Sequence, residues 1–190
     1  MPLPRSSVRD LWNAYKVIRF VLLIVVLVVG ITSVAIQTSR DNVSSHTRHY
    51  DGSATVFNEN GVRFLNKGDY ANAIDNFDHA ISIEPNYPAP YNNRATAYYN
   101  TGKTALARAD LDTAIKLDPL FSNAFKNRAA INLRAGAFDL ALQDLDVAVR
   151  LNPSDARTLY DRGFAKQKKG DSAGAAADIA AAKQLDPHLP

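Results

Sequence analysis

Apolar positions along this chain fall into two regimes, one unbroken run near the N-terminus and a periodic pattern thereafter. Phe20–Ile36 reads FVLLIVVLVVGITSVAI, and no charged residue occurs from Phe20 to Ser39. Beyond a polar stretch the spacing turns helical: Phe57, Gly61, Phe64 and Leu65, a break at Gly68, then Tyr70, Ala73, Ile74, Phe77, Ala80 and Ile81, with Pro85 closing the run. Apolar residues recurring three and four apart predict an amphipathic helix in each run. Glycine just past a helix end takes the left-handed conformation without steric cost, and proline cannot continue a helix. The block therefore reads helix, tight turn, helix, stop.

That block is copied. Pro85, Pro119, Pro153 and Pro187 stand 34 residues apart, and Gly68, Gly102, Gly136 and Gly170 keep the same step. The units are 54–87, 88–121, 122–155 and 156–189. A single helix pair cannot bury both its apolar stripes, so a fixed period of this length predicts stacked neighbours sharing one continuous core. Ala73, Ala107, Ala141 and Ala175, and again Ala80, Ala114, Ala148 and Ala182, fall where two helices must approach closely, since a larger side chain would overpack the contact. Asp78, Asp112 and Asp146 share one position of the first three units, and Arg94, Arg128 and Arg162 share one position of the last three. Each Asp precedes an Arg of the next unit by sixteen residues, the pattern expected of an ion pair between repeats. Pairing within a repeat, Arg94 with Asp110, Arg128 with Asp144 and Arg162 with Asp178, fits the spacing equally.

The unit resembles the tetratricopeptide repeat. That family's order of large residue, small residue, aromatic, then Ala, Phe and Pro is met by Phe57, Gly61, Phe64, Ala73, Phe77 and Pro85. Tyr91, Ala95, Tyr98, Ala107, Leu111 and Pro119 hold those places in the second unit. The third has Phe125, Ala129, Asn132, Ala141, Leu145 and Pro153, and the fourth Leu159, Gly163, Lys166, Ala175, Ile179 and Pro187, so Asn and Lys stand where the aromatic belongs. The resemblance implies that the first helix of each unit lines a concave, ligand-reading face. On that face would lie Asn58, Glu59, Val62, Leu65 and Asn66, then Asn92, Asn93, Thr96, Tyr99 and Asn100. The third unit would add Asn123, Lys126, Asn127, Leu133 and Arg134, and the fourth Arg157, Tyr160, Asp161, Phe164 and Lys168. A carboxamide offers donor and acceptor together, so the Asn residues suit a peptide unit of an extended partner segment; solvated polar helix faces would use Asn as well. Some relatives grip the C-terminal carboxylate of chaperone tails with a set of Lys, Asn and Arg. The matching places here hold Asn58, Val62, Asn93, Asn123 and Asn127, which keep one of the five, so the resemblance does not extend to that ligand.

Charge sharpens the picture of the N-terminus. The net charge of +3 arises wholly before Phe20, where Arg5, Arg9, Lys16 and Arg19 face Asp10 alone; the repeats carry 16 basic and 16 acidic residues. A nucleic-acid face would need its cations clustered on the folded domain, so nucleic acid is not an expected partner. Basic residues ahead of an uncharged run predict a transmembrane anchor over 20–36 with a cytoplasmic leader, 1–19, and the remainder exported, to the periplasm in a bacterium. Val8, Leu11, Trp12 and Tyr15 share one helical face, so the leader reads either as amphipathic or as a stub. A cleaved signal is the competing reading, supported by the small residues Gly30, Ser33 and Ala35, and it exports the same domain. Residues 37–53 read as a polar linker.

The chain has no cysteine, no phosphate-binding glycine loop and no nucleophile motif; His46 and His49 stand three apart in a polar coil without further ligands, and His79 and His188 are isolated. Neither an enzyme nor a cofactor nor a metal site is expected. The sequence thus predicts an all-α solenoid of four tetratricopeptide-type helix-turn-helix repeats preceded by one N-terminal transmembrane helix. Its expected role is a membrane-held adaptor or scaffold for protein partners. A self-associating structural protein of the envelope is the alternative. The Ala-rich last helix, SAGAAADIAAAKQ, leaves two readings open, a self-capping end or a flat, close-approach surface for another subunit or a partner.

Overall fold

The computed structural model describes residues 53–190. The leader 1–19, the apolar run 20–36 and the linker up to residue 52 lie outside the described residues. Helix α1 covers 53–66. It is followed by α2 (Tyr70–Ile83), α3 (Pro88–Asn100), α4 (Thr104–Leu117), α5 (Ser122–Arg134), α6 (Phe138–Leu151), α7 (Ala156–Lys168) and α8 (Ser172–Leu185). Each repeat is therefore an odd-numbered and an even-numbered helix.

The turn inside each repeat has one chemistry. Gly102 has φ 78°, which lets its N–H reach the Tyr99 carbonyl at 3.0 Å while Lys103 N–H returns to Tyr98 at 2.8 Å. These two bonds satisfy carbonyls that the end of α3 would otherwise leave unpaired. Asp69, Ala137 and Asp171 make the same return bond in the other repeats, to Phe64, Asn132 and Lys166.

Ala73, Ala107, Ala141, Ala80, Ala114, Ala148 and Ala182 are fully buried, where helix axes pass closely. In the first three repeats small and large residues trade off across the same contact. Gly61 lies against Phe77, and a Cβ there would stand 2.5 Å from the ring. A Cβ on Gly163 would meet Ile179 at 2.8 Å. Where the second helix carries the smaller Leu111 or Leu145, the partner position holds Ala95 or Ala129. Among the described elements, α3 touches α5 and α5 touches α7, whereas the even-numbered helices do not touch one another. The stack therefore curves with its odd helices on the inside.

An Arg–Asp ladder ties the repeats together. Arg128 holds Asp144 of its own repeat with two bonds, at 3.0 and 2.6 Å, and reaches Asp112 of the preceding repeat at 2.6 Å. Arg162 holds Asp178 at 2.8 and 2.7 Å and Asp146 at 3.1 Å. Arg94 does the same with Asp110 and Asp78. Both pairings that the spacing allows thus coexist on one guanidinium. They are unequal: Asp110, Asp144 and Asp178 are buried, while the cross-repeat partners are at least half exposed. The bonds that Arg128 donates to Asp144, opposed by burial and helped by Asp112, raise its proton affinity above the usual range.

The two departures from the aromatic position feed this ladder. Asn132, 2% exposed, accepts from Arg108 at 2.5 Å and donates to Asp144 at 3.3 Å, and Lys166 meets Asp178 at 2.9 Å. Burial alone would raise the Asp178 carboxyl, but bonds from Arg162 and Lys166 outweigh it and hold the group below its ordinary value of 3.8. A carboxyl lowered in the folded state stabilises the fold above its unfolded value and loses that contribution as pH falls through its folded value. Melting followed by circular dichroism should thus be insensitive to this group at neutral pH and fall on acidification below 3.8. Asp178→Asn should melt lower than the parent at neutral pH and show a shallower acid fall; an unchanged acid limb would contradict the assignment.

The last helix ends the stack on small side chains. Ala175 and Ala182 are buried against α7, while Ala173, Ala176, Ala177 and Ala180 face outward.

Candidate functional site on the concave face

The odd helices meet along a seam of side chains from two adjacent positions of each repeat. Asn93 of α3 donates to Asn58 of α1 at 3.0 Å, and Asn127 of α5 donates to Asn92 of α3 at 2.8 Å. Asn92 also donates to Asn93 at 3.2 Å, which links the two rungs. Asn58 and Asn92 are 9% and 6% exposed. Asn58, Asn92, Asn93 and Asn127 thus spend their carboxamides on one another, and this corrects the expectation that these amides serve a peptide unit of a partner segment. The cause is position: the seam between first helices buries polar groups, and buried amides must be paired. Asn123 is exposed at the start of α5.

The ladder changes character at the next rung. The two positions that hold Asn in the earlier repeats hold Lys126 in α5 and Asp161 in α7. Lys126 turns instead to Asp155, the N-terminal cap of α7, at 2.8 Å, and Asp161 takes Arg157 at 3.0 Å. Beside this altered rung opens a hollow of about 430 Å³, lined by Ala130, Leu133, Arg134, Arg157, Tyr160, Asp161 and Phe164. Burial raises the Asp161 carboxyl, an effect that Arg157 opposes. A smaller hollow of about 80 Å³ adjoins it at Ala130, between α3 and α5, with Thr96, Tyr99, Asn127 and Ile131 in its lining.

The cations here are held by aromatic rings. Arg134 lies 5.5 Å from the Tyr99 centroid, Arg157 5.9 Å from Tyr160 and Lys168 5.3 Å from Phe164. Phe164, 37% exposed, is braced edge-on by Phe138 at 6.5 Å. Sequence reasoning places Tyr99, Lys126, Arg134, Arg157 and Lys168 on this face; the fold sets Arg134 and Arg157 in the lining of the larger hollow and Tyr99 in that of the smaller, while Lys168 lies over Phe164 and Lys126 is bonded to Asp155. Ala130 and Phe138 were missed: a lone Ala has no chemical signal, and Phe138 belongs to a second helix. Among the described residues no three His, Asp or Glu converge as metal ligands would, and no helix is long and apolar enough to cross a membrane.

Helix pairs stacked at a 34-residue step with an inner face of odd helices define an α-solenoid of the helix-turn-helix class. Residues 61–102 match the family model described as TPR repeat, and residues 92–156 the one described as tetratricopeptide repeat. The stretch 61–156 is accordingly made of tetratricopeptide repeats. No curated protein sequence matches the chain. Among solved structures, the first TPR of Spaghetti (RPAP3), bound to the HSP90 peptide SRMEEVD, is 25% identical with a TM-score of 0.59, over 63% of this chain and 94% of that one. MamA (41-end) from Desulfovibrio magneticus RS-1 is 26% identical with a TM-score of 0.63, over 72% and 77%. PilF of Pseudomonas aeruginosa, 18% identical over 75% and 65%, shares the fold with a TM-score of 0.70.

Proposed function

We propose that this chain is a non-enzymatic adaptor, held at the membrane by residues 20–36, whose concave face binds an extended segment of a protein partner. The observation that carries the reading is the hollow beside the Lys126–Asp161 rung, where the seam between first helices is no longer closed by paired amides and exposes Phe164. A concave site with an apolar wall and a few oriented polar groups is the usual form of a recognition pocket. The solved structure of Spaghetti with a bound peptide supports a peptide ligand for this kind of fold.

The test is affinity capture from detergent-solubilised native membranes by the full chain. Tyr160→Ala combined with Phe164→Ala should abolish recovery of the partner while helix content stays at the parent level. Undiminished recovery would contradict the reading. Orientation is checked separately. A reporter active only outside the cytoplasm should work when fused after Pro190, because the basic leader precedes the apolar run. Activity of a cytoplasm-only reporter at that position would reverse the topology, and a shortened, soluble mature chain would replace the anchor by a cleaved signal.

A further inference from the structure

The charges around the hollow do not balance, and the imbalance states what the hollow accepts. Lys126 is neutralised by Asp155 and Arg157 by Asp161. Arg134 and Lys168 rest on aromatic rings and meet no carboxylate among the described residues. Stacking on Tyr99 orients the Arg134 guanidinium but occupies none of its N–H donors, so its edge stays available to a planar acceptor. Leu133, Tyr160 and Phe164 supply an apolar wall, and about 430 Å³ is ample for one aromatic or branched side chain. The adjoining hollow of about 80 Å³ takes a small side chain only. Packed helices stand ~8–10 Å apart, and an extended chain advances ~3.3 Å per residue, so residues two or three apart reach both hollows.

We propose that the hollow between α5 and α7 binds an extended acidic segment of a protein partner, one bulky apolar side chain entering beside Phe164 and a flanking Asp or Glu meeting Arg134. The proposal rests on the concave-groove reading above and adds to it the chemistry of the ligand. Charge complementarity selects this occupant: a basic segment would bring like charge against Arg134 and Lys168.

The probe is a displayed library of random linear dodecapeptides, selected on the full chain in mild detergent and then measured as free labelled peptides. The expected winners carry Trp, Phe or Leu next to Asp or Glu. Their affinity should fall about tenfold with Arg134→Glu and about tenfold between low and high salt, whereas Lys183→Glu, a charge change on α8, should leave it unaltered. Arg134 is exposed, so circular dichroism of the Arg134→Glu variant should match the parent. Basic or uncharged winners that need Phe164 but ignore Arg134→Glu would overturn the ligand chemistry and leave the groove standing. Winners indifferent to both Phe164→Ala and Arg134→Glu would overturn the proposal and the groove reading together. Recovery of no binder would overturn the proposal.

Discussion

Arg128→Ala should destabilise the protein by about 3–5 kcal/mol, whereas Asp112→Ala should cost under about 1 kcal/mol. Both residues belong to one ion-pair group, and the asymmetry follows from where its members sit. Asp144 is buried and takes two of the three Arg128 bonds; Asp112 is mostly exposed and takes the third. Losing Arg128 strands a buried carboxylate with only the Asn132 amide, at 3.3 Å, to answer it. Losing Asp112 leaves Arg128 fully engaged with Asp144. Urea denaturation of the two variants, with the Asp144→Ala and double variants to complete the cycle, measures the coupling. Equal costs for Arg128→Ala and Asp112→Ala would show that the cross-repeat bond carries the group.

Gly61→Ala should cost about 1–3 kcal/mol, although Ala is the better helix former by ~1 kcal/mol. The new Cβ would lie 2.5 Å from the Phe77 ring, which is fully buried and has no free direction in which to retreat. The chain itself contains the remedy, since the equivalent contacts pair Ala95 with Leu111 and Ala129 with Leu145. Phe77→Leu introduced together with Gly61→Ala should therefore recover most of the lost stability, as measured by thermal melting. Additive losses in the double variant would mean that the Gly–Phe fit is not the cause.

Much of this architecture was legible because a repeat averages out accident. A glycine after each first helix and a proline after each second one mark the same backbone event at every step. Recurring Ala positions mark close approach, and the fold places them in contacts of that kind. The Asn residues were harder to read. Asn58 with Asn93, and Asn92 with Asn127, are separated by 35 residues, one more than the repeat, so each bond crosses a repeat boundary between neighbouring positions. A polar residue on a first helix looks the same in sequence whether it faces a ligand or the next helix. The usable signal was chemical matching at that offset, amide with amide twice; Lys126 and Asp161 offer a third match there, but the fold turns them to Asp155 and Arg157 instead. Asn132 and Lys166 likewise read as lost aromatics until their shared target, the buried Asp of the same repeat, is seen. The hollow had no signature at all, because it arises where side chains turn away from each other.

Site-specific photo-cross-linking in intact cells tests the central claim most directly. A photoreactive side chain replaces Tyr160 in the hollow, Lys116 on the outer helix α4, or Ala180 on the exposed face of α8, one at a time. The concave-groove account predicts a heterologous protein adduct from position 160 and none from positions 116 and 180. Adducts confined to position 180, at twice the mass of this chain, would contradict it and make self-association through the Ala-rich helix the function of the stack.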